Sequence, residues 1–389
     1  MKGSGRGTGF GACYSRCSET SNGGFPDSSS DPIGRTVARV SIYGESGESW
    51  YGQEARIDGM PNTETKRAIE TIDVEAARER LRGQVRVTPL EAFDSRDARV
   101  ELRLKLECLQ ETNAFKARGA VNNIAKLSDD ERARGVCATS SGNHGRALSW
   151  AAKNAGVKAT IFMPANTYPN KIAACRELGA EVVLAETRAE AERLCGEAVG
   201  RGVRLVHPYK DAGTIEGAGT VGLELLEQWP QVDVVMVCTG GGGVVSGIAL
   251  ALARKTEGRV KVCGVEPVGS RNLGESIRQG EPVWLDTITT KVQGLCPPDT
   301  GPLNYAIVRD HVAHLAAVDD ATIFAAQKEL VQAGWTVEPA GAAALAGLRA
   351  GQLPGEWLEG RDASNPLRVA CVVTGANPDP AQIEALLAH

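Results

Sequence analysis

Glu107-Cys108-Leu109-Gln110-Glu111-Thr112-Asn113-Ala114-Phe115-Lys116-Ala117-Arg118-Gly119-Ala120 is the stretch on which the reading of this chain turns. It leaves an alternating strand, Leu102 to Leu106, crosses a polar turn and enters a helix expected from Gly119. Lys116 falls where strand gives way to helix. An amine there meets the positive end of the helix dipole and the apolar flank of Phe115, and both disfavour its protonated form. A lysine that is neutral near neutral pH can condense with an aldehyde. An isolated lysine at a helix start is ordinarily just solvated, so the assignment depends on the company this one keeps.

Composition narrows the classes. The 389 residues suffice for about two domains and a large core. Hydrophobic residues at 42% and charged residues at 23% are those of a soluble globular protein rather than a disordered one. A net charge of −5 excludes a general nucleic-acid binder, which needs a basic face. No apolar run approaches the ~20 residues that span a bilayer; Ile248 to Ala253 reads as a buried helix segment. The 10 cysteines form no Cys-x-x-Cys pair, which argues against a disulfide framework or a zinc site and for the reducing cytoplasm.

Residues 1–59 are rich in Gly, Ser and Arg and hold no hydrophobic period, so they read as a disordered leader, with Met60 as the natural start. Beyond them the grammar is α/β. Val74, Ala77, Leu81 and Val85 fall at helical spacing, and short strands at 136–138, 159–163, 181–184 and 204–206 alternate with helices. Val232 to Cys238 is nearly all apolar, the mark of a central strand buried on both faces. Strands at 260–265 and 369–373 and helices at 321–333 and 341–349 follow. The expected fold is two-lobed, each lobe a largely parallel sheet flanked by helices. Residues 60–135 and 213–389 form the large domain and 136–212 a smaller inserted one.

Two further stretches carry chemistry. Thr239-Gly240-Gly241-Gly242-Gly243 joins the buried strand to a helix. Bare amides converging at a helix start suit a phosphate. The spacing matches neither the dinucleotide fingerprint, since Val245 and Ser246 stand where its last glycine belongs, nor a Gly-Lys-Ser/Thr nucleotide loop. A flexible loop is the alternative, but four consecutive glycines at a strand end are costly without a ligand. Ser140-Ser141-Gly142-Asn143-His144-Gly145 also lies between strand and helix. Ser141 alone would read as an N-cap. Otherwise its amides and hydroxyls hold a carboxylate, Asn143 bonds a ring oxygen, and His144 is a structural residue. A poised lysine, a phosphate cradle and an anion-binding helix start are the parts of a pyridoxal-phosphate site.

These motifs resemble those of the threonine/serine dehydratases, in the tryptophan-synthase-β-like, fold type II group of pyridoxal-phosphate enzymes. Glu107 to Ala120 is similar to the family's lysine signature, Ser140 to Gly145 matches its Ser-Ser-Gly-Asn-His-Gly, and Gly240 to Gly243 its glycine loop. Glu338 to Ala342 and Thr374 to Asn377 resemble its C-terminal elements, so the likeness covers about residues 70 to 380 in family order. It implies that Lys116 links to the cofactor and takes the α-proton, that Phe115 packs beside the ring and that Asn143 meets the ring hydroxyl. It implies also that Ser140, Ser141, Gly142 and Asn143 hold the substrate, that Gly240, Gly241, Gly242 and Gly243 hold the phosphate, and that Thr374 faces the ring nitrogen. Ser141 resembles the second base of family racemases. A homodimer follows from the resemblance alone.

The sequence departs from the family at Ala114 (usually Ser), Ala218 (Gln), Lys210 (acidic) and Gln293 (Asp), and carries a distinctive loop, Cys296 to Gly301. Some relatives bind a monovalent or divalent cation beside the glycine loop. Here Glu266 and the Ser270 carbonyl are present, but Asn272 stands for the expected Asp, which weakens the site. The implied activity is an ammonia-lyase acting on a small β-hydroxy-α-amino acid such as L-threonine or L-serine. The alternatives are a 3-hydroxyaspartate or phenylserine dehydratase, with a pocket reshaped by Ala114 and the loop at 296–301, a serine or amino-acid racemase, and a non-catalytic binder of the cofactor or of an amino acid.

Overall fold

The computed structural model describes residues 63–387; the expected leader at 1–59 and the start at Met60 lie outside them. The strands are β1 (Leu90–Phe93), β2 (Val100–Lys105), β3 (Val136–Thr139), β4 (Ala159–Pro164) and β5 (Glu181–Ala185), then β6 (Arg204–Leu205), β7 (Val234–Cys238), β8 (Lys261–Pro267), β9 (His314–Val318) and β10 (Leu367–Val372). They form a six-stranded sheet in the order β1-β2-β10-β7-β8-β9 and a four-stranded sheet in the order β5-β4-β3-β6. The β1–β2 pair is antiparallel and the other pairs are parallel. The smaller sheet comes from one continuous segment, the larger from sequence on either side of it.

β7 shows why the larger sheet is built this way. All five of its residues are buried, between β10 and β8. Val234, Met236 and Cys238 pack in the core that includes the helix Pro339–Arg349. Val235 and Val237 pack on the other face against the helices Ala212–Gln228 and Gly243–Thr256. A strand covered on both faces gains about 1.5–3 kcal/mol from each large apolar side chain it buries, and polar alternation would have forfeited half of that.

Other elements depart from the sequence reading. The lysine helix is Lys116–Ala125, beginning at Lys116 itself rather than at Gly119. The polar turn before it is two 3₁₀ turns, Glu107–Leu109 and Glu111–Asn113. Thr112 and Asn113 both take left-handed backbone, φ 59° and 57°. Asn tolerates this; a β-branched Thr is strained there. The strain is held by bonds to the C-terminal segment: Ala376 N to Asn113 O at 2.8 Å, Asn377 Nδ2 to Thr112 O at 2.9 Å and Phe115 N to Thr374 O at 3.1 Å. β1, β9 and the helix Asp129–Arg134 were not expected. That helix has no apolar period at all and is set by a capping box between Ser128 and Glu131.

Behind the lysine helix lies a cluster of buried charge. Arg118 donates to Glu107 at 2.7 and 2.8 Å and to Glu224 at 2.7 and 2.8 Å. Lys105 donates to Glu224 and to the Thr88 carbonyl at 2.8 Å, and to Gln228 at 2.9 Å. Two cations and two carboxylates balance, which is the condition for charge to persist in a core. The cluster ties β2, the Glu107 turn, the lysine helix and the helix Ala212–Gln228 together, and so fixes the floor on which Lys116 stands.

Candidate active site

Four segments leave the C-terminal ends of parallel strands and meet: the turn after β2, the loop after β3, the glycines after β7 and Thr374 after β10. Such ends are where open α/β sheets place ligands. A cavity of about 460 Å³ lies between them, and Phe115, Lys116, Ser140, Ser141, Gly142, Asn143, Gly240, Gly241, Gly242, Gly243 and Thr374 all line it. Every expected site residue is brought together except Glu266 and Ser270.

Lys116 is half-buried, and its Nζ donates to the Pro208 carbonyl at 2.6 Å. Desolvation, against weaker opposing attraction from Cys238 and Glu338, brings its pKa down to about 8. The Phe115 ring, centred 4.9 Å from Nζ, supplies the apolar flank.

The glycine loop is oriented from behind. The Gly240 carbonyl accepts from Asn272 Nδ2 at 3.2 Å; the Gly241 carbonyl accepts from Thr300 Oγ1 at 3.1 Å and Asn304 Nδ2 at 2.8 Å. In a trans peptide the N–H points opposite to the C=O, so the amides of Gly241 and Gly242 face the cavity. Gly242 has φ +91°, a glycine conformation. At Gly241 a Cβ would stand 2.4 Å from the Tyr209 ring, so packing as well as ligand access demands glycine there.

After β3 the helix Asn143–Asn154 has Gly142, not Ser141, at its N-cap, and Ser140 Oγ accepts from Gly142 N at 3.3 Å and Gly145 N at 3.1 Å. Ser141 is exposed to the cavity, which corrects the N-cap alternative. The Asn143 amide is engaged at both ends, donating to Glu338 Oε1 at 2.6 Å and accepting from Asn377 Nδ2 at 2.8 Å, with one N–H left over. His144 is buried against the Val206 carbonyl at 2.8 Å, and burial pushes its pKa down to about 3. It is a neutral structural residue, as expected.

Comparison with known proteins agrees with this geometry. The family described as "Pyridoxal-phosphate dependent enzyme" matches residues 81–375. The chain belongs to that family. An L-threonine ammonia-lyase of Thermotoga maritima is 36% identical over 81% of this chain and 77% of its own. A phenylserine dehydratase of Ralstonia pickettii is 35% identical over 83% and 97%. The structure of maize serine racemase superposes with a TM-score of 0.74 at 32% identity, covering 81% of this chain and 95% of that one.

The cavity of this pyridoxal-phosphate-dependent enzyme fits its cofactor: an amine of depressed pKa, inward amides after β7 and a hydroxyl after β10 stand around one space. A divalent cation fits poorly. Both Glu266 oxygens accept amides at the start of the helix Asn272–Gln279, from Leu273 N at 2.9 Å and Gly274 N at 2.8 Å. Burial raises the Glu266 pKa to about 7, which disfavours the charged form a divalent cation needs. Asn272 Nδ2 already donates to the carbonyls of Gly240 and Pro297. Ser270 Oγ and Asn272 Oδ1 are buried without partners, but no second carboxylate joins them among the described residues.

Several cavity residues escaped the sequence reading: Cys238, Glu338, Lys171 and Arg188. Glu338 had a signal, since it stands directly before Pro339 at a helix start. Two departures from the family prove to be partners. Lys210 pairs with Asp299 of the distinctive loop, and Asp299 also accepts from Tyr209 Oη at 2.8 Å. Ala114 is fully buried and bridges Gly375 instead of lining the cavity, so only Cys296 and Pro297 of the expected pair of changes reach it.

Proposed function

We propose that this enzyme is an ammonia-lyase for a small β-hydroxy-α-amino acid, with L-threonine or L-serine the default substrate. Lys116 would carry the cofactor, Phe115 flank its ring, Asn143 bond the ring hydroxyl, Gly240 to Gly243 hold the phosphate and Thr374 meet the ring nitrogen. Ser140, Ser141 and Gly142 would receive the substrate carboxylate, where the unpaired amides opening the helix Asn143–Asn154 add their field. When bound, pyridoxal phosphate supplies an electron sink that acidifies the α-hydrogen. Lys116, whose pKa near 8 leaves a useful neutral fraction, takes that proton. The freed electron pair closes the Cα–Cβ double bond as the β-hydroxyl departs with the C–O pair, and the released enamine tautomerises to an imine that takes up water to give a 2-keto acid and ammonia. The segment 136–212 would serve as a lobe of its own, carrying the carboxylate end of the site. A cytoplasmic homodimer completes the reading: the eight cysteines among the described residues are free thiols, which suits a reducing compartment, and the dimer rests on the family resemblance. No helix among the described residues is long and apolar enough to cross a membrane.

The observation that carries the lyase reading is Lys116, an amine of depressed pKa standing in the cavity. Ser141, exposed in the same cavity, is necessary for a racemase but does not discriminate between the two. A second reading, 3-hydroxyaspartate as substrate, draws on Lys171 and Arg188, two cations on the cavity wall that suit a distal carboxylate. Purified protein given L-threonine, L-serine, 3-hydroxyaspartate and phenylserine should form keto acid from at least one. Loss of optical rotation without keto acid would make it a racemase instead.

A further inference from the structure

We propose that Cys238 is a positioning residue for the cofactor ring: its thiol donates to Thr374 Oγ1 and so turns the Thr374 hydroxyl proton into the cavity. This rests on the cofactor reading above. Cys238 ends β7 and Thr374 follows β10, its parallel neighbour, in which Met236 stands opposite Cys371. Continued past the last pair, that register sets Cys238 opposite Val373, the residue directly before Thr374. Sγ and Oγ1 are 3.2 Å apart, both residues are 3% exposed, and both line the cavity.

Either atom of the pair is able to donate, and the ring nitrogen decides between them. A hydroxyl has one proton and two lone pairs. If Thr374 gave its proton to sulfur, only lone pairs would face the ring nitrogen, and two lone pairs repel. If the thiol donates, the Thr374 proton is left for the ring. Sulfur is also a poor acceptor, so it competes weakly for that proton. Burial lifts the Cys238 pKa to about 11, which keeps the thiol protonated at working pH. The glycine loop begins one residue beyond Thr239, so one strand end serves both poles of the cofactor.

The test uses purified holoenzyme and its resolved apo-form carrying Cys238→Ala or Cys238→Ser, each alone and with Thr374→Val. Dissociation constants for pyridoxal phosphate are read by fluorescence titration, together with the absorption maximum of the bound cofactor and the thermal midpoint of the apo-protein. Cys238→Ala should weaken cofactor binding about three- to tenfold, the worth of one hydrogen bond, and shift the absorption band. Cys238→Ser, which keeps a donor, should restore both. In the Thr374→Val background Cys238→Ala should add nothing. Unchanged affinity and spectrum in Cys238→Ala, an effect that persists beside Thr374→Val, or a serine variant as impaired as alanine each overturns the proposal. The last would assign the effect to a packing defect, which the apo-protein midpoint would also show. Wild-type protein that takes up no cofactor at all would remove the underlying reading, a different result from an unchanged constant.

Discussion

Lys105 and Lys116 stand on one stretch of chain and meet opposite fates. Lys105 is fully buried and surrounded by Glu224, Gln228 and the Thr88 carbonyl. Lys116 opens onto the cavity, with the Pro208 carbonyl at 2.6 Å. Burial lowers the pKa of both, but at Lys105 the attraction of the hydrogen-bonded Glu224 and of Glu107 works against it, while at Lys116 the opposition comes from Cys238 and Glu338, neither hydrogen-bonded to the amine. One lysine is therefore a strut, and the other is the reagent of the proposed mechanism. What separates them is whether a buried carboxylate touches the amine.

Three measurements would break or sharpen that contrast. The largest effect belongs to Lys116→Ala, which should cut keto-acid formation by at least about 10⁴-fold, as expected for loss of a base that also holds the cofactor. Its unfolding midpoint should stay near wild type, because Lys116 carries no structural ion pair; a large fall in stability would make it a strut after all. Next comes Arg118→Met, which leaves Glu107 and Glu224 without their main partner. Urea denaturation should show a loss of about 3–5 kcal/mol, and a loss under 1 kcal/mol would mean that the cluster contributes little. The smallest is a matter of pH. With a Lys116 pKa brought down to about 8, the amine is protonated below that value and neutral above it. Capture of pyridoxal phosphate by apo-protein should therefore rise about tenfold per pH unit below the midpoint and flatten beyond it. A rise that continues to about pH 10 would show an ordinary lysine.

Much of this was legible in the chain because the decisive elements announce themselves locally. Val234 to Cys238 reads as a central strand from its unbroken apolar run, and the glycines after it as an anion cradle from their position at a helix start. What stayed hidden depends on contacts between residues far apart in sequence. Nothing local says that Asn143 meets Glu338, that Cys238 meets Thr374, or that the unusual Lys210 is answered by Asp299. Gly142 rather than Ser141 holds the N-cap, and the loop turns so that Ser140 Oγ reaches two amides, a matter of backbone angle rather than residue type. The helix Asp129–Arg134 has charges where a periodicity reading needs apolar residues.

The cavity takes its walls from both sheets: Lys116, the glycines and Thr374 from the larger, Ser140 to Asn143 from the smaller. On the proposed reading a guest amino acid would be gripped across a seam, its nitrogen end on one side and its acid end on the other. A simple amine, lacking the acid group, would be tethered to one bank only and would leave the crossing unbridged.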